Sequence, residues 1–141
     1  MDLTARSLPL LGTWTGLERR TAADGGTTSA RASLVLRLDV GGTAVVADYR
    51  SVQEDGAELT AHAVLRVTGP DQVTGWLFDS AGGAPDVLTG HLDQAGLELY
   101  GHGRRHRVRG AGDTLEQEVA RSADDGWRPR LEGRYRRLSG H

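Results

Sequence analysis

Hydrophobic and polar residues alternate along most of this chain, in short runs that are separated by turn sequences. The run SLVLRL places Leu34, Leu36 and Leu38 on one face of an extended chain, and the run ELTAHAVLRV at residues 58–67 alternates in the same way. A period of two residues is typical of β-strands. Turn sequences rich in Gly, Asp and Pro recur at residues 23–26, 39–42, 54–56, 69–72, 80–85, 93–96, 110–113 and 123–127. Short strands at this spacing predict an antiparallel all-β sandwich or barrel of about nine strands.

The N-terminal segment DLTARSLPLL departs from the strand pattern. Asp2 or Thr4 can cap one helical turn there, and Pro9 ends it. A long antiparallel meander leaves two exposed edges, which closure into a barrel removes. We therefore predict a single all-β domain over residues 1–141, with its core at about 8–138: a mostly up-and-down antiparallel barrel with a short N-terminal helical turn. A barrel of about eight or more strands can hold one small ligand in its lumen.

The run GTWTG, residues 12–16, opens the first strand. Each glycine would cost a helix about 1 kcal/mol relative to alanine, whereas Thr and Trp favour a strand. In a strand, glycine marks a bend or the close approach of another backbone. Gly12 and Gly16 therefore predict a bend in the first strand or the close approach of a neighbouring backbone. We expect Trp14 to close the narrow end of the barrel, with stacking on a ligand as the alternative.

The composition narrows the possible functions. The chain has no Cys, which excludes disulfides and thiol chemistry. A net charge of −2 argues against a general nucleic-acid footprint. No apolar stretch is long enough for a membrane helix, and the N-terminus lacks the pattern of a signal peptide, so we expect a cytoplasmic protein. All 17 basic residues are Arg, which indicates a GC-rich bacterial coding sequence.

The segments LLGTWTGLE, VVADYRS, LTAHAVL, GWLFDSAGGAP, LTGHLDQAGLELYG and SADDGWRPRLEGRYRR follow one another over about residues 8–138. Their order resembles a bacterial family of lipocalin-like (calycin-type) barrel proteins of uncharacterised function and, more distantly, nitrobindin-like haem-binding barrels. The resemblance implies a barrel with a ligand cavity, without implying a reaction. It also favours a functional pair at Asp48 and Tyr49. The family tends to carry glycine on either side of the histidine, where this chain has Ala61 and Ala63, which implies a narrower site around His62.

Aromatic and polar residues in mid-strand supply the candidate ligand contacts. Trp76 and Phe78 share one face, and we expect them to form a wall of the lumen because aromatic residues are scarce in this chain. If Tyr49 points inward, its hydroxyl is a polar contact for a ligand and Asp48 lies outside. The opposite phase would place Asp48 and Arg50 inside, and the sequence leaves this phase open.

Three other residues are candidates for acid–base chemistry. His62 is either a general base or ligand donor in the lumen or a satisfied or surface histidine. Asp79, at a strand end, either orients a His or Arg and contacts a ligand or caps its turn. Glu118 either forms a cross-strand ion pair with an arginine or pairs with His62 in the lumen.

The run GHGRRHRVRG, residues 101–110, combines two histidines with four arginines. On a strand, His102 and His106 lie about 13 Å apart, which disfavours a shared metal ion unless a turn intervenes, and HGRR is a candidate for such a turn. The run is either a solvated basic hairpin or an anion clamp, in which arginines from 104 to 109 hold a carboxylate or phosphate of a ligand.

These observations predict a protein that binds a small, largely apolar molecule in a barrel lumen, as a monomer or homodimer, without a cofactor or metal. The expected ligand contacts are Trp14, Asp48, Tyr49, Trp76, Phe78 and His106. The alternative is a cofactor-free cyclase, isomerase or dehydratase of bacterial specialised metabolism, with His62, Asp79 and Glu118 as acids or bases. A third hypothesis is a haem-binding barrel, which needs an axial histidine at lumen depth.

Overall fold

Ten antiparallel strands form a closed barrel in this computed structural model, which describes residues 3–138. Each strand pairs with its neighbours in the chain, and β1 closes the barrel by pairing with β10. The strands are β1 (Gly12–Thr21), β2 (Thr27–Asp39), β3 (Ala44–Gln53), β4 (Glu58–Gly69), β5 (Gln72–Asp79), β6 (Asp86–Asp93), β7 (Gly96–Gly101), β8 (Arg104–Ala111), β9 (Thr114–Ala123) and β10 (Gly126–Arg137).

Two short helical segments cover one end of the barrel, which we call the closed end. Helix α1 (Leu3–Ser7) runs into a 3₁₀ turn (Leu8–Leu10), and Leu3 and Leu10 are buried in the core. The Trp14 indole Nε1 donates a hydrogen bond of 3.0 Å to the Leu10 carbonyl. Trp14 thus closes this end, as the sequence predicts. Both helical segments are far too short to cross a membrane.

We call the opposite end of the barrel the mouth. The turn between β7 and β8 lies at the mouth, and the sequence-based count of about nine strands did not include it. His102 and Gly103 join β7 to β8 with φ angles of 54° and 70°. Positive φ at both central residues is the requirement of a two-residue type I′ hairpin. The run 101–110 therefore contains a tight turn, which the sequence left open within HGRR, and β8 is a strand that the count of about nine does not include. The barrel has ten strands instead of about nine.

The strand registers determine which side chains face the lumen. Trp14 is paired with Leu34, Leu34 with Tyr49, and Tyr49 with Ala61. Directly paired residues share a face of the sheet, so all four face inward. The half of the lumen near the closed end is filled by buried apolar side chains: Leu3, Leu10, Trp14, Ala32, Leu34, Leu36, Val45, Leu65, Val73, Leu88, Leu92, Leu97, Leu99, Leu115 and Tyr135.

Gly16 lies at the seam between β1 and β10, where it is paired with Tyr135. A Cβ atom at Gly16 would lie 1.9 Å from the Arg134 carbonyl oxygen. Gly12 has a φ of +134°, and a Cβ there would meet the Arg137 guanidinium. Both positions confirm that the glycines of GTWTG are required by backbone geometry.

We expect Gly16→Ala to weaken the barrel at its seam. The added methyl group would push against backbone atoms of β10, and overpacking of this kind costs at least about 1–3 kcal/mol. Urea unfolding measures the effect as a lower midpoint. Gly69→Ala is the control, because a Cβ there would meet only the Gln72 side chain, at 3.3 Å. Equal midpoints for the two variants would contradict the seam geometry.

Candidate functional site: a polar belt in the lumen

Glu18 is a buried carboxylate on the lumen face of β1. It is two steps along the strand beyond Gly16 and is only 3% exposed. The hydroxyl of Tyr49 donates to its Oε1 and the hydroxyl of Tyr135 donates to its Oε2, each at 2.5 Å. Burial of a carboxylate is costly unless such hydrogen bonds compensate it. The two tyrosines are therefore what allows Glu18 to lie inside the barrel.

Arg20 extends this network toward the mouth. Its Nη2 donates to the Tyr49 hydroxyl at 2.9 Å and to the Ser51 hydroxyl at 2.5 Å, and it lies 3.6 Å from Glu18 Oε1. The Arg20 Nε is buried and has no hydrogen-bond partner among the described residues. The side-chain oxygen of Gln117 lies 2.9 Å from the Tyr135 hydroxyl. We call this network the lumenal belt, and its members are Glu18, Arg20, Tyr49, Ser51, Gln117 and Tyr135.

The environment of the belt keeps both tyrosines protonated. Burial and the neighbouring Glu18 raise the pKa of Tyr49 to about 12. The same two causes raise the pKa of Tyr135 well above its ordinary value. Both hydroxyls therefore remain hydrogen-bond donors to Glu18 at neutral pH.

Gly133 of β10 leaves the space in which Tyr135 reaches Glu18. It is paired directly with Glu18 across the β1–β10 seam. A Cβ at Gly133 would lie 2.3 Å from the Tyr135 hydroxyl oxygen. A side chain at this position would displace the hydroxyl from the carboxylate.

His106 belongs to a second polar group on the lumen face, formed by β6 and β8. It is paired with Leu99 and faces the lumen, where Arg104 forms an ion pair with Asp86. Burial, and then the positive charge of Arg104, lower the pKa of His106 to about 4 against the opposing effect of Asp86. The imidazole is therefore neutral at pH 7. Its Nε2 is buried without a hydrogen-bond partner among the described residues.

The aromatic wall expected from Trp76 and Phe78 is on the other side of the sheet. Trp76 is paired with Val64 and Phe78 with His62, on the outer face, and Phe78 is 45% exposed. The lumen face of β5 instead carries Val73, Gly75 and Leu77, followed by Asp79 at the end of the strand. Placing the two aromatic residues in the lumen was wrong because neither face of β5 is plainly apolar, so alternation alone could not establish the phase.

The three acid–base candidates do not come together. His62 on β4 and Glu118 on β9 both point outward, from strands on opposite sides of the ring. Glu118 accepts a hydrogen bond of 2.7 Å from Arg105. Asp79 is on the lumen face, but its Oδ1 accepts the Ala81 N–H at 2.9 Å and so caps the turn after β5.

Asp48, His62 and Phe78 line a groove on the outer face of the barrel. His62 Nδ1 lies 2.7 Å from Asp48 Oδ1, and Arg37 donates to Asp48 Oδ2 at 2.6 Å. The hydrogen bonds from Arg37 and His62 hold the pKa of Asp48 below its usual range. This outer groove, of about 540 Å³, also contains Phe78. The phase left open in the sequence is thereby settled: Asp48 points outward and Tyr49 inward.

Sequence reasoning missed most of the lumenal belt. Of its members, only Tyr49 was singled out as a ligand contact, and Glu18, Arg20 and Tyr135 were not. A signal was present, because residues 14, 16, 18 and 20 share one face of a strand. Once Trp14 is taken as inward, Glu18 and Arg20 follow it into the lumen.

The described barrel is similar to solved structures at identities that show the fold alone. Rv2717c from M. tuberculosis matches with a TM-score of 0.75 and 18% identity, over 98% of this chain and 99% of that one. The S-type phycobiliprotein lyase CPES from Guillardia theta matches with a TM-score of 0.64 and 11% identity, over 100% and 95%. The redesigned β-barrel mFAP1, bound to DFHBI, matches with a TM-score of 0.52 and 14% identity, over 94% and 98%. No protein-family model and no curated protein matches the chain.

We expect Tyr135→Phe to lower the free energy of unfolding by about 1–3 kcal/mol, because the buried Glu18 carboxylate loses a donor. Tyr100→Phe is the matched control, since the Tyr100 hydroxyl donates to Glu98 on the exposed outer face. Its effect should stay within about 0.5 kcal/mol. Chemical denaturation compares the two, and equal losses would show that Glu18 does not depend on Tyr135.

His106 should make the folded protein sensitive to mild acid. Its folded-state pKa of about 4 lies below the ordinary value of 6.5. Between these values the unfolded chain binds a proton that the folded chain does not, so stability is lost as pH falls through this window, by at most about 1.4 kcal/mol per pH unit. Denaturation at pH 7, 5.5 and 4.5 should show a shallower decline for His106→Gln than for the exposed control His91→Gln. Parallel declines would contradict a neutral, buried imidazole.

Proposed function

We propose that this protein binds a small, largely apolar molecule in the half of the lumen next to the mouth, with the lumenal belt and His106 as its polar contacts. The observation that carries the proposal is the pair of buried, unpartnered atoms on lumen-facing side chains, Arg20 Nε and His106 Nε2. An unsatisfied buried polar group costs about 1–3 kcal/mol. A ligand with suitably placed polar atoms would remove this cost at both positions.

The lumen wall around these atoms supports an apolar ligand body. Small and aliphatic residues face inward between the polar groups: Ala47, Ala61, Ala63, Leu77, Val119 and Leu131. A mostly apolar wall with a few convergent polar groups is the usual anatomy of a small-molecule site.

The solved structures with this fold add support of a general kind. The redesigned barrel mFAP1 is bound to the small molecule DFHBI, so a similar barrel can hold a small molecule. The expected link to nitrobindin-like barrels, the bacterial source, the cytoplasmic location and the monomeric or homodimeric state remain predictions from the sequence.

The second candidate is a cofactor-free acid–base enzyme that acts in the outer groove. The observation that favours it is the contact between His62 and Asp48. A carboxylate that holds the Nδ1–H of a histidine leaves Nε2 as a base, which is the usual arrangement of an oriented general base. Both side chains are about half exposed, at 45% and 48%. This exposure weakens the candidate, because water competes with any substrate there.

Two tryptophan substitutions at adjacent residues separate the lumen from the outer groove. Ala61 faces the lumen beside Tyr49, whereas Thr60 faces outward in the groove. We expect Ala61→Trp to abolish the fluorescence gain of the neutral apolar dye N-phenyl-1-naphthylamine, because the indole fills the lumen. Thr60→Trp should leave the dye affinity within about twofold of the unmodified protein. Circular dichroism and unfolding midpoints establish that both variants are folded.

The opposite result has a defined meaning. Loss of dye binding in Thr60→Trp alone would move the ligand to the outer groove and would favour the enzyme candidate. A native mass spectrum of gently purified protein complements the test, because a copurified small molecule that disappears in Ala61→Trp would identify the ligand class. An iron-porphyrin mass, with a Soret band lost in His106→Ala, would replace the proposal with a haem protein.

A further inference from the structure

Three arginines stand side by side on the lumen face at the mouth. Arg104 of β8 is paired with Arg121 of β9, and Arg121 is paired with Arg128 of β10. Arg104 lies on the same face of β8 as His106, two residues nearer the mouth. We call these three residues the arginine row.

A β-bulge places Arg128 in the row. The register of β9 and β10 shifts between Pro129 and Leu131. Without the shift, Pro129 would face the lumen like Leu131, because alternate residues of a strand share a face, and Arg128 would point outward. Bulges re-aim side chains in this way and recur next to functional sites. The strand thus departs from regular pairing at the point where it turns a third arginine to the lumen face.

The row holds more positive charge than its neighbours neutralise. Asp86 pairs with Arg104. Arg128 lies 3.4 Å from Asp125, but both side chains are mostly exposed. Arg121 has no ion pair or hydrogen bond among the described residues. Like charges directly opposite one another on a sheet are destabilising, so the row costs stability in the absence of an anion.

The other carboxylates on the lumen face are already engaged. Glu18 accepts from two tyrosines, and Asp79 caps the turn after β5. Arg20, deeper in the lumen, is balanced by Glu18 at 3.6 Å, although its Nε lacks a hydrogen-bond partner among the described residues. Arg121 is therefore the cation of the row that no carboxylate of the described residues pairs with, and an anion from outside the chain would complement it.

We infer that the ligand is an amphiphilic anion, whose carboxylate or phosphate is held by Arg121 and Arg128 at the mouth while its apolar body lies deeper in the lumen. The inference rests on the proposed function and adds the chemical class of the ligand. Arginine suits the role because its planar guanidinium makes paired hydrogen bonds to carboxylate and phosphate oxygens.

Two dyes with the same ring system provide the test. 8-Anilino-1-naphthalenesulfonate is anionic, and N-phenyl-1-naphthylamine is the same molecule without the sulfonate. Fluorescence titration gives a Kd for each dye, and their ratio isolates the contribution of the charge. We expect the unmodified protein to favour the anionic dye by about tenfold or more, and the preference to fall at least about fivefold in the double variant Arg121→Gln/Arg128→Gln.

The matched control is Arg134→Gln/Arg136→Gln, which removes the same charge from the outer face of β10. Arg134 is 88% exposed, and Arg136 is paired with the outward-facing Thr15. The preference should stay within about twofold in this variant. The neutral dye should bind all three proteins alike. Because the row is self-repelling, the Arg121→Gln/Arg128→Gln variant should also be at least as stable as the unmodified protein.

The outcomes distinguish this inference from the proposed function. If the neutral dye binds and Ala61→Trp blocks it, the lumen binds ligands. The anion inference is then overturned if the anionic dye binds no more tightly than the neutral dye, or if its preference persists in Arg121→Gln/Arg128→Gln. If neither dye binds, both proposals fail. Where the anionic preference is present, competition with dodecanoate, dodecyl phosphate and dodecanol identifies the head group, and dodecanol competing as well as both anions would overturn the inference.

Discussion

The close contact of β1 with β10 is the constraint on which the rest of this structure depends. At Gly16 the two backbones approach so closely that no Cβ atom fits. This seam closes the sheet and removes its free edges. It also brings Glu18 of β1 opposite Gly133 of β10, within reach of Tyr135. The closure of the barrel and the burial of its internal carboxylate are therefore consequences of one pairing.

Much of the fold could be predicted from the sequence, because short alternating runs and turn residues report local backbone geometry. The up-and-down topology, the N-terminal helical turn and the role of Gly16 all follow from such local signals. The missing strand reflects a turn of only two residues, in which His102 has a positive φ that is uncommon outside glycine. The sequence left a turn within HGRR open, but His-Gly lacks the Asn-Gly or Asp-Gly signature of a two-residue hairpin, so no separate strand was counted there.

The candidate site was harder to predict, because it depends on which face of each strand is inward. Asp48 and Tyr49 illustrate the problem: their neighbours are compatible with either phase, and only the pairing across β2, β3 and β4 decides it. An error of one residue reverses every side chain on a strand. Trp76 and Phe78 lie on the outer face for this reason, while Glu18 and Arg20, which carry the lumenal network, were not among the candidate residues from the sequence.

The position of the helical segments has a practical consequence for work with this protein. The 3₁₀ turn is held against Trp14 at the closed end, and the chain leaves β10 at the same end, where the Leu138 N–H donates to the Thr13 carbonyl at 2.8 Å. The described chain thus enters and leaves the barrel on the side away from the mouth. Attachment to a sensor surface through the helical segments or through the end of β10 would orient the molecules uniformly, with the mouth facing the solution.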